Sequence, residues 1–375
     1  MNPSEAGSDK PRYIMIGGFL GAGKTTAVAR LARHLTDQGK RVGLISNDQS
    51  SGLVDTALLR SKGFQVEEIP GGCFCCRFNS LLEAAEKLTR ETRPDVFIAE
   101  PVGSCTDLVA TVSYPLRRIY GDRFEVAPMS VLVDPMRAAR ILGLEAGRPF
   151  SEKVVYVYRK QLEEADIIVV NKSDALAAPL RDRLVAAIRE SFPKAATHVC
   201  SAKEAAGLEP WFASILASRG GESSTMELDY DLYAEGEALL GWLNLTARLE
   251  STEPFDANQT LLGLARDIRD RVAADGREIA HLKMTLDAGD GTGSLSVVSV
   301  VRSDGEPDLR ESLLDRVDGG ELVINLRAEA DPEFLKDATE KALASLTGLR
   351  STVEHLERFR PARPQPLHRM KGEGL

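Results

Sequence analysis

Short apolar runs alternate with segments of helical period over residues 10–219. An apolar run at 13–16 precedes a helical pattern at 26–36, and the run at 165–170 is suited to a strand in a sheet interior. Continuous apolar runs are typical of strands that are buried on both faces of a parallel sheet. The pattern predicts an α/β fold, with a doubly wound, mostly parallel sheet, for this part of the chain.

A different pattern follows a polar, glycine-bearing run, which predicts a linker at residues 220–226. Residues 227–350 contain strand-like segments at 241–248, 279–286, 294–301 and 321–326, and helical segments at 258–274 and 331–346. They predict a smaller C-terminal α+β domain, an antiparallel sheet with helices on one face. Residues 351–375 are basic and rich in proline, so we expect an extended tail.

His281 and Lys283 are two positions apart and share one face of the predicted strand at 279–286. We expect that face to be solvated. A role in ligand binding is the alternative, although the sequence shows no partner residue for it.

A phosphate-binding pattern lies between the first predicted strand and helix. Residues 18–25 read G-F-L-G-A-G-K-T, a full match to G-x-x-x-x-G-K-[ST]. Glycine permits the backbone angles that turn consecutive N–H groups toward one anion, and the following helix adds its positive dipole end. The alternative, a glycine-rich turn with an incidental lysine, is disfavoured by the strand before it and the helix after it. The loop therefore predicts nucleoside triphosphate binding through Gly18, Gly21, Ala22, Gly23, Lys24, Thr25 and Thr26.

Two later segments favour guanine as the base. The strand at 165–170 ends in Asn171, Lys172 and Asp174, and a buried Asp174 carboxylate could accept hydrogen bonds from two guanine donors that adenine lacks. We expect Asn171 to reach the other edge of the base and the Lys172 stem to cover its face. A second base-contacting loop is expected at Ser201, Ala202 and Lys203. The alternative for the first segment is a helix N-cap formed by Ser173 or Asp174.

The run G-G-C-F-C-C-R at 71–77 contains three cysteines within four consecutive residues. Cys73, Cys75 and Cys76 are too closely spaced for easy disulfides among themselves, and the remaining Cys105 and Cys200 are scattered. Clustered thiolates favour a soft-metal site, with Zn²⁺ first. Tetrahedral zinc needs a fourth ligand, which no nearby His or Cys in the sequence supplies. A redox-sensitive thiol cluster and inert buried cysteines are the alternatives.

Taken in order, these motifs resemble the CobW-type GTPases, relatives of UreG and HypB. The resemblance covers roughly residues 10 to 220 and includes the Asn47–Asp48 pair, Asp55, the C-x-C-C cysteines, and a strand that ends in Glu100 with Gly103. It implies a P-loop GTPase sheet in which Lys24 and Glu100 are catalytic and Thr25, Asp48 and Glu100 organise Mg²⁺. It also implies that the clustered cysteines are metal ligands. For Glu100, capping of the next helix is the alternative.

The sequence departs from the family pattern at two loops. Residues 101–107 read P-V-G-S-C-T-D where relatives usually carry G-L-A, and Cys105 could either join the metal shell or serve as a small apolar residue at a helix start. After Asn47 the sequence reads D-Q-S-S-G at 48–52, where relatives usually have E-F-G, so Asp48 could keep the acid with a shorter side chain. Asp55 is spaced as in the family, but capping of a helix at 56–60 is equally consistent with it.

Composition narrows the class of protein. A formal charge of −9 over 375 residues argues against a general nucleic-acid footprint. With no run of eighteen apolar residues and no signal-peptide layout, we expect a cytoplasmic enzyme without a membrane partner. The five histidines form no His-rich tract.

The sequence therefore predicts a GTP-binding and GTP-hydrolysing protein of the metallochaperone type, with GTP, Mg²⁺ and Zn²⁺ or another thiophilic metal as its cofactors. GTP or GDP, a metalloprotein or cofactor-dependent client, and a second copy of the chain in a nucleotide-dependent homodimer are the expected partners. One alternative is a GTPase that gates the loading of a corrin or other organic cofactor, with structural cysteines. Another is a zinc-responsive binding protein that is switched by nucleotide.

Overall fold

The computed structural model describes residues 10–49, 54–217, 225–291 and 293–370. In the first part of this range a parallel sheet runs in the order β3-β2-β4-β1-β6-β7-β8, with a short β5 paired to β1. Its strands are β1 (Arg12–Gly18), β2 (Val42–Asn47), β3 (Val66–Ile69), β4 (Val96–Glu100), β5 (Glu125–Val126), β6 (Ser130–Val133), β7 (Ile167–Val170) and β8 (Ala196–Val199). The doubly wound parallel sheet is as predicted.

Helices cover both faces of this sheet and bury two hydrophobic clusters against it. A π-helical turn at Val109–Ser113 and a 3₁₀ turn at Ser173–Ala175 interrupt the connections. The helices are α1 (Lys24–Asp37), α2 (Val54–Ser61), α3 (Phe78–Thr92), α4 (Tyr114–Ile119), α5 (Pro135–Ile141), α6 (Glu152–Glu163), α7 (Ala178–Ser191) and α8 (Leu208–Ala217).

An antiparallel sheet forms the C-terminal domain, in the order β12-β11-β10-β13-β9-β14. Helices α10 and α11 pack on one face of it around a separate hydrophobic core, which confirms the predicted α+β class. Its elements are α9 (Tyr230–Ala238), β9 (Leu240–Phe255), α10 (Ala257–Ala274), β10 (Glu278–Asp287), β11 (Leu295–Val300), β12 (Asp308–Glu311), β13 (Val317–Glu329), α11 (Pro332–Ala344) and β14 (Arg350–Phe359).

The predicted end of the second domain at residue 350 is wrong. Strand β14 pairs with β9 along residues 350–359, so the extended tail begins only at Arg360. The strand lies at a sheet edge and carries many exposed charges. Such charges protect an edge strand from pairing with another chain, and they also obscure the apolar alternation from which a strand is predicted. Residues 218–224, which hold most of the predicted linker at 220–226, lie outside the described residues.

The face of the C-terminal sheet that α10 and α11 leave uncovered lies against the phosphate loop. The buried guanidinium of Arg137 joins the two domains, because it donates to the carbonyls of Leu20 in the loop and of Ala280 and Val301 in the C-terminal sheet. A Cβ added at Gly21 would lie 3.0 Å from the Ala280 carbonyl oxygen. The second domain therefore forms one wall of the cavity beside the phosphate loop.

Among the helices that the structure describes, none is long and apolar enough to cross a membrane.

Candidate nucleotide and metal site

The loop between β1 and α1 has the geometry that its sequence predicts. Gly18, Gly21 and Gly23 all adopt positive φ values, and a Cβ at Gly18 would lie 2.3 Å from the Leu132 carbonyl oxygen. The Lys24 ammonium is buried and donates to the Gly18 carbonyl at 3.0 Å, and burial lowers its pKa. Thr25 follows as a buried residue of the first turn of α1. Turned N–H groups, a helix N-terminus and a buried cation together suit a polyphosphate.

Three oxygen donors converge beside this loop. The Thr25 hydroxyl contacts the Asp55 carboxylate and lies 3.1 Å from Glu100 Oε1. Glu100 is buried at the end of β4, and burial, followed by the charge of Asp55, raises its pKa to about 7. Its second oxygen, Oε2, is buried without a hydrogen-bond partner among the described residues. One hydroxyl and two carboxylates, one of which has an unsatisfied oxygen, fit the preference of Mg²⁺ for hard oxygen ligands.

The structure favours Asp55 over Asp48 as the second carboxylate at this position. Asp55 lies in the first turn of α2, but its carboxylate is directed to Thr25 and to the Lys283 ammonium rather than to the helix N-terminus. Asp48 lines the same cavity, yet its carboxylate lies 3.6 Å from the buried guanidinium of Arg327. Asp55 is thus the carboxylate for which a contact with Thr25 is seen, and the Mg²⁺ role of Asp48 stays a prediction.

Arg327 is fixed from its other side by an aromatic ring. Its guanidinium lies 4.0 Å from the ring centroid of Trp242 and donates to the Leu243 carbonyl at 2.8 Å. A buried cation held in this way presents its charge to Asp48 in a set direction. Sequence reasoning missed this residue.

The expectation that the His281 and Lys283 face of β10 is solvated is wrong. His281 and Lys283 line a cavity of about 560 Å³ shared by the two domains, and the Lys283 ammonium contacts Asp55 and lies 3.4 Å from the Thr25 hydroxyl. On the neighbouring strand β13, Asn325 is paired with Lys283 and Arg327 with His281. This block of polar residues on two adjacent strands is the signal that could have revealed a buried polar wall.

The first predicted base-contacting segment, which contains Asn171 and Lys172, is hydrogen-bonded to two neighbouring loops. The buried Asn171 donates to the Ala22 carbonyl at 2.9 Å and accepts from the Ala202 N–H at 3.0 Å. Lys172 donates to the Gly21 carbonyl at 2.6 Å and pairs with Asp134 at 2.9 Å. Asn171 therefore bridges the phosphate loop and the second base loop, and its reach to the base edge stays a prediction.

Asp174 is exposed in the 3₁₀ turn, so the expectation that it is buried is wrong. The loop of Ser201, Ala202 and Lys203 lies next to this turn, since the Ser173 N–H donates to the Cys200 carbonyl at 3.0 Å. Arg30 on α1 holds the loop by donating to the carbonyls of Ala202 and Lys203. Both predicted base loops thus lie at one rim of the site, with the Asp174 carboxylate accessible there.

The three clustered cysteines bring their sulfur atoms together. Cys73 Sγ lies 2.7 Å from Cys75 Sγ and 3.2 Å from Cys76 Sγ, and Cys75 and Cys76 are 3.7 Å apart. The neighbouring thiols, that of Cys105 first, lower the pKa of Cys73 well below its usual range. Three sulfurs within 4.8 Å of one another can bind one thiophilic ion.

The cysteine loop is tied to the nucleotide side of the sheet. At the end of β2, the buried Asn47 amide donates to the carbonyls of Ile69 and Gly72, at 2.8 and 2.7 Å. Gly72 directly precedes Cys73, so the end of β2 fixes the start of the cysteine loop.

The tail after β14 runs over the cysteines. The Gln365 N–H donates to Cys76 Sγ at 3.2 Å, and the Leu367 N–H donates to the Cys75 carbonyl at 2.9 Å. Arg369 pairs with Asp107 at 2.7 Å. The basic tail is extended, as its composition indicates, and it packs on the first domain as a cover.

A family model, the CobW/HypB/UreG nucleotide-binding domain, matches residues 12–199, which is half of the chain. The chain belongs to the CobW/HypB/UreG family. This confirms the resemblance drawn from the motifs, and the match ends before the C-terminal sheet begins.

Individual relatives of this CobW/HypB/UreG chain match just under half of it. It is 32% identical over 166 residues to the zinc chaperone YeiR of Escherichia coli (strain K12), covering 44% of the chain and 47% of YeiR. It is 31% identical over 201 residues to the zinc chaperone CobW of a Sinorhizobium species, covering 48% and 55%. The matched part spans about half the length of these relatives.

Among solved structures, HypB from Helicobacter pylori in complex with nickel aligns with a TM-score of 0.41 and 19% identity. The alignment covers 55% of this chain and 86% of HypB.

Lys283 is expected to compete with Mg²⁺ in this family member, because its ammonium contacts the oxygens that fit the ion. In Lys283→Met, the Mg²⁺ concentration that half-saturates nucleotide binding should fall at least about fivefold, which is the effect of one like charge about 4 Å away even at the dielectric constant of bulk water. Arg140→Met is the matched control, since it breaks another contact between the domains, to Asp304 at 2.5 Å, away from these oxygens. Titration of a fluorescent guanine nucleotide at varied Mg²⁺ measures both. Equal midpoints in Lys283→Met and wild type would contradict the competition.

Proposed function

We propose that this chain binds and hydrolyses GTP and couples its nucleotide state to the binding and transfer of a thiophilic metal, with Zn²⁺ as the first candidate. The family assignment and the zinc chaperones among its relatives support the class of function. The proposal extends from the matched half of the chain to the whole protein.

The observation that carries the proposal is the direct connection between the two candidate sites. Asn47 bonds the carbonyl that precedes Cys73, and Asp48 next to it lines the nucleotide cavity. Two sites that share elements can exchange free energy when one ligand shifts those elements.

The residues around the phosphates have separate tasks in this proposal. Lys24 supplies a positive charge to the β- and γ-phosphates, and the loop N–H groups supply the remaining donors. Thr25, Asp55 and Glu100 would hold Mg²⁺, which neutralises phosphate charge when bound. Glu100, with one buried oxygen that has no hydrogen-bond partner among the described residues, is suited to orient the attacking water.

In this proposal the base of the nucleotide is guanine, and Asp174 recognises it. Its accessible carboxylate, at the rim formed by both base loops, can accept from two guanine donors, whereas adenine offers none at those positions. Asn171 and Lys172 position this rim on the phosphate loop.

The cargo is assigned to a soft metal by its donors. Thiolates bind Zn²⁺ or Cu(I) better than they bind Mg²⁺, whose preferred ligands are oxygens. The partners in this proposal are a metalloprotein or cofactor-dependent client that receives the ion, and a second copy of the chain when nucleotide is bound.

Metal affinity measured in three nucleotide states tests the coupling. Zn²⁺ titrations of the full chain with no nucleotide, with GDP and with a non-hydrolysable GTP analogue should give affinities that differ by about tenfold, a typical coupling factor. By reciprocity, Zn²⁺ should change the affinity for the analogue by the same factor. The double variant Cys73→Ser/Cys76→Ser is the control, and it should lose the ion while it still binds nucleotide.

Each other result selects a different function. Equal Zn²⁺ affinity in all three states would overturn metal delivery and favour structural cysteines in a GTPase that loads an organic cofactor. Nucleotide-dependent Zn²⁺ binding without hydrolysis would overturn the GTPase and favour a zinc-responsive switch.

A further inference from the structure

The tail formed by residues 360–370 lies over the most accessible of the three clustered sulfurs. Cys73 and Cys75 are 5% and 2% exposed, whereas Cys76 is only partly buried. The Gln365 N–H of the tail donates to Cys76 Sγ at 3.2 Å. The side on which the cluster is nearest to solvent is therefore the side that the tail covers.

The hydrogen bond from Gln365 suits a sulfur that binds metal. An N–H that donates to a thiolate favours the charged form, which is the form that binds a metal ion. Pro364 and Pro366 flank this residue and have no N–H of their own, and Pro364 is buried. Prolines on both sides hold the segment extended, so that a single backbone N–H is directed at Cys76.

The far end of the tail is fastened by a buried carboxylate. Arg369 pairs with Asp107 at 2.7 Å, and the Asp107 side chain is 1% exposed. The Tyr230 hydroxyl donates to the same carboxylate oxygen at 2.6 Å. The Met370 N–H donates to the Ala110 carbonyl at 2.9 Å, just beyond this pair. The tail is thus anchored beyond the cysteines, after it has crossed them.

Transfer of a metal ion places a demand on this arrangement. The ion passes from one protein to another by ligand exchange, so a ligand of the client has to reach it while the cysteines still hold it. With the tail in place, Cys76 is partly covered and its sulfur already accepts a hydrogen bond. The tail has to move before a second protein can approach the ion from this side.

We propose that the tail is a strap that closes the metal site over Cys76, and that the pair of Arg369 and Asp107 is its latch. This rests on the proposed metal function and deepens it, because it names the route by which the ion enters and leaves. While the latch is closed, the strap shields Cys76 and favours its thiolate. When the latch opens, a ligand from a client can reach the ion.

Alkylation of Cys76 measures how often the strap is open, and it needs no metal. The metal-free full chain is treated with N-ethylmaleimide, and mass spectrometry follows each cysteine. Arg369→Met removes the cation from a buried carboxylate, so the alkylation rate of Cys76 should rise about tenfold or more. Cys200 is buried at 1% exposure and serves as an internal reference, because a faster rate there would report unfolding.

Arg363→Met is the matched control, since it removes an arginine from the same tail. Arg363 pairs with Asp231, and the two side chains are 55% and 74% exposed. Because such an exposed pair contributes little, the Cys76 rate should stay within about twofold of wild type. Equal Cys76 rates in Arg369→Met and Arg363→Met would overturn the strap.

Release of Zn²⁺ to a chelator tests the route of the ion. Gln365→Pro removes the N–H that Cys76 accepts and leaves the latch in place, and Ala362→Pro adds a proline at an exposed position of the same tail. Release should be about tenfold faster from Gln365→Pro and from Arg369→Met, and unchanged in Ala362→Pro.

Release from Arg369→Met at the wild-type rate would overturn the route through the tail. No Zn²⁺ binding by wild type would instead overturn the proposed metal function, and the alkylation rates of the metal-free protein would still decide whether the strap exists.

Discussion

Replacing Lys24 by alanine should abolish GTP hydrolysis and leave the fold intact. The ammonium is buried in the phosphate loop, where it donates to the Gly18 carbonyl of its own loop and would face the phosphates of a bound nucleotide. Loss of a preorganised cation at the reacting phosphates should lower the rate at least about a hundredfold. Phosphate release measured with saturating GTP and Mg²⁺ gives the rate, and triphosphate binding should weaken with it.

Lys87→Ala separates this effect from a general loss of charge. Lys87 lies on α3, where it pairs with Glu67 at 2.7 Å and is half exposed, remote from the loop. We expect wild-type hydrolysis from that variant. Turnover in a folded Lys24→Ala protein that equals wild type would rule out this loop as the hydrolytic site.

Replacing Asp174 by asparagine should weaken GTP binding by about 2 kcal/mol, which is roughly thirtyfold, through loss of charge-assisted bonds to the base. Asparagine keeps the shape of the side chain but turns one acceptor into a donor, which faces the guanine donors. Binding of ATP should change far less, because adenine makes no such bonds. Titrations of both nucleotides in one buffer measure the two effects.

Asp182→Asn is the control for Asp174→Asn. Asp182 is an exposed aspartate on α7 that pairs with its neighbour Arg181. Its substitution should leave the affinity for GTP unchanged. If wild-type protein bound ATP as tightly as GTP, the assignment of guanine would be wrong.

The first domain was predictable because its signals are local. A glycine loop between an apolar run and a helix, and three cysteines within four residues, each specify geometry over a few positions. The structure places Lys24 with Thr25 and Glu100, and it brings the three sulfurs together, as those segments indicate.

The contribution of the second domain could not be predicted in this way. Lys283 and Arg327 reach the nucleotide cavity only because β10 and β13 pair and their sheet docks on the phosphate loop, hundreds of residues away in sequence from Thr25. Polar residues that alternate on a strand are equally consistent with water or with a charged cavity as neighbour. Cys105 was ambiguous for the same reason, since its surroundings depend on how two loops meet.

The stacking of Arg327 on Trp242 gives the molecule an optical signal of its own. The chain contains two tryptophans, and the other, Trp211, is buried on α8, where its indole N–H donates to the Ser130 hydroxyl at 3.0 Å. The Arg327 guanidinium contacts both the Trp242 ring and the Asp48 carboxylate. A movement of Asp48 would therefore change the charge next to the indole. With Trp211 replaced by phenylalanine, the emission of a single indole would follow, in real time and without a label, the end of β2 that we propose to connect nucleotide to metal.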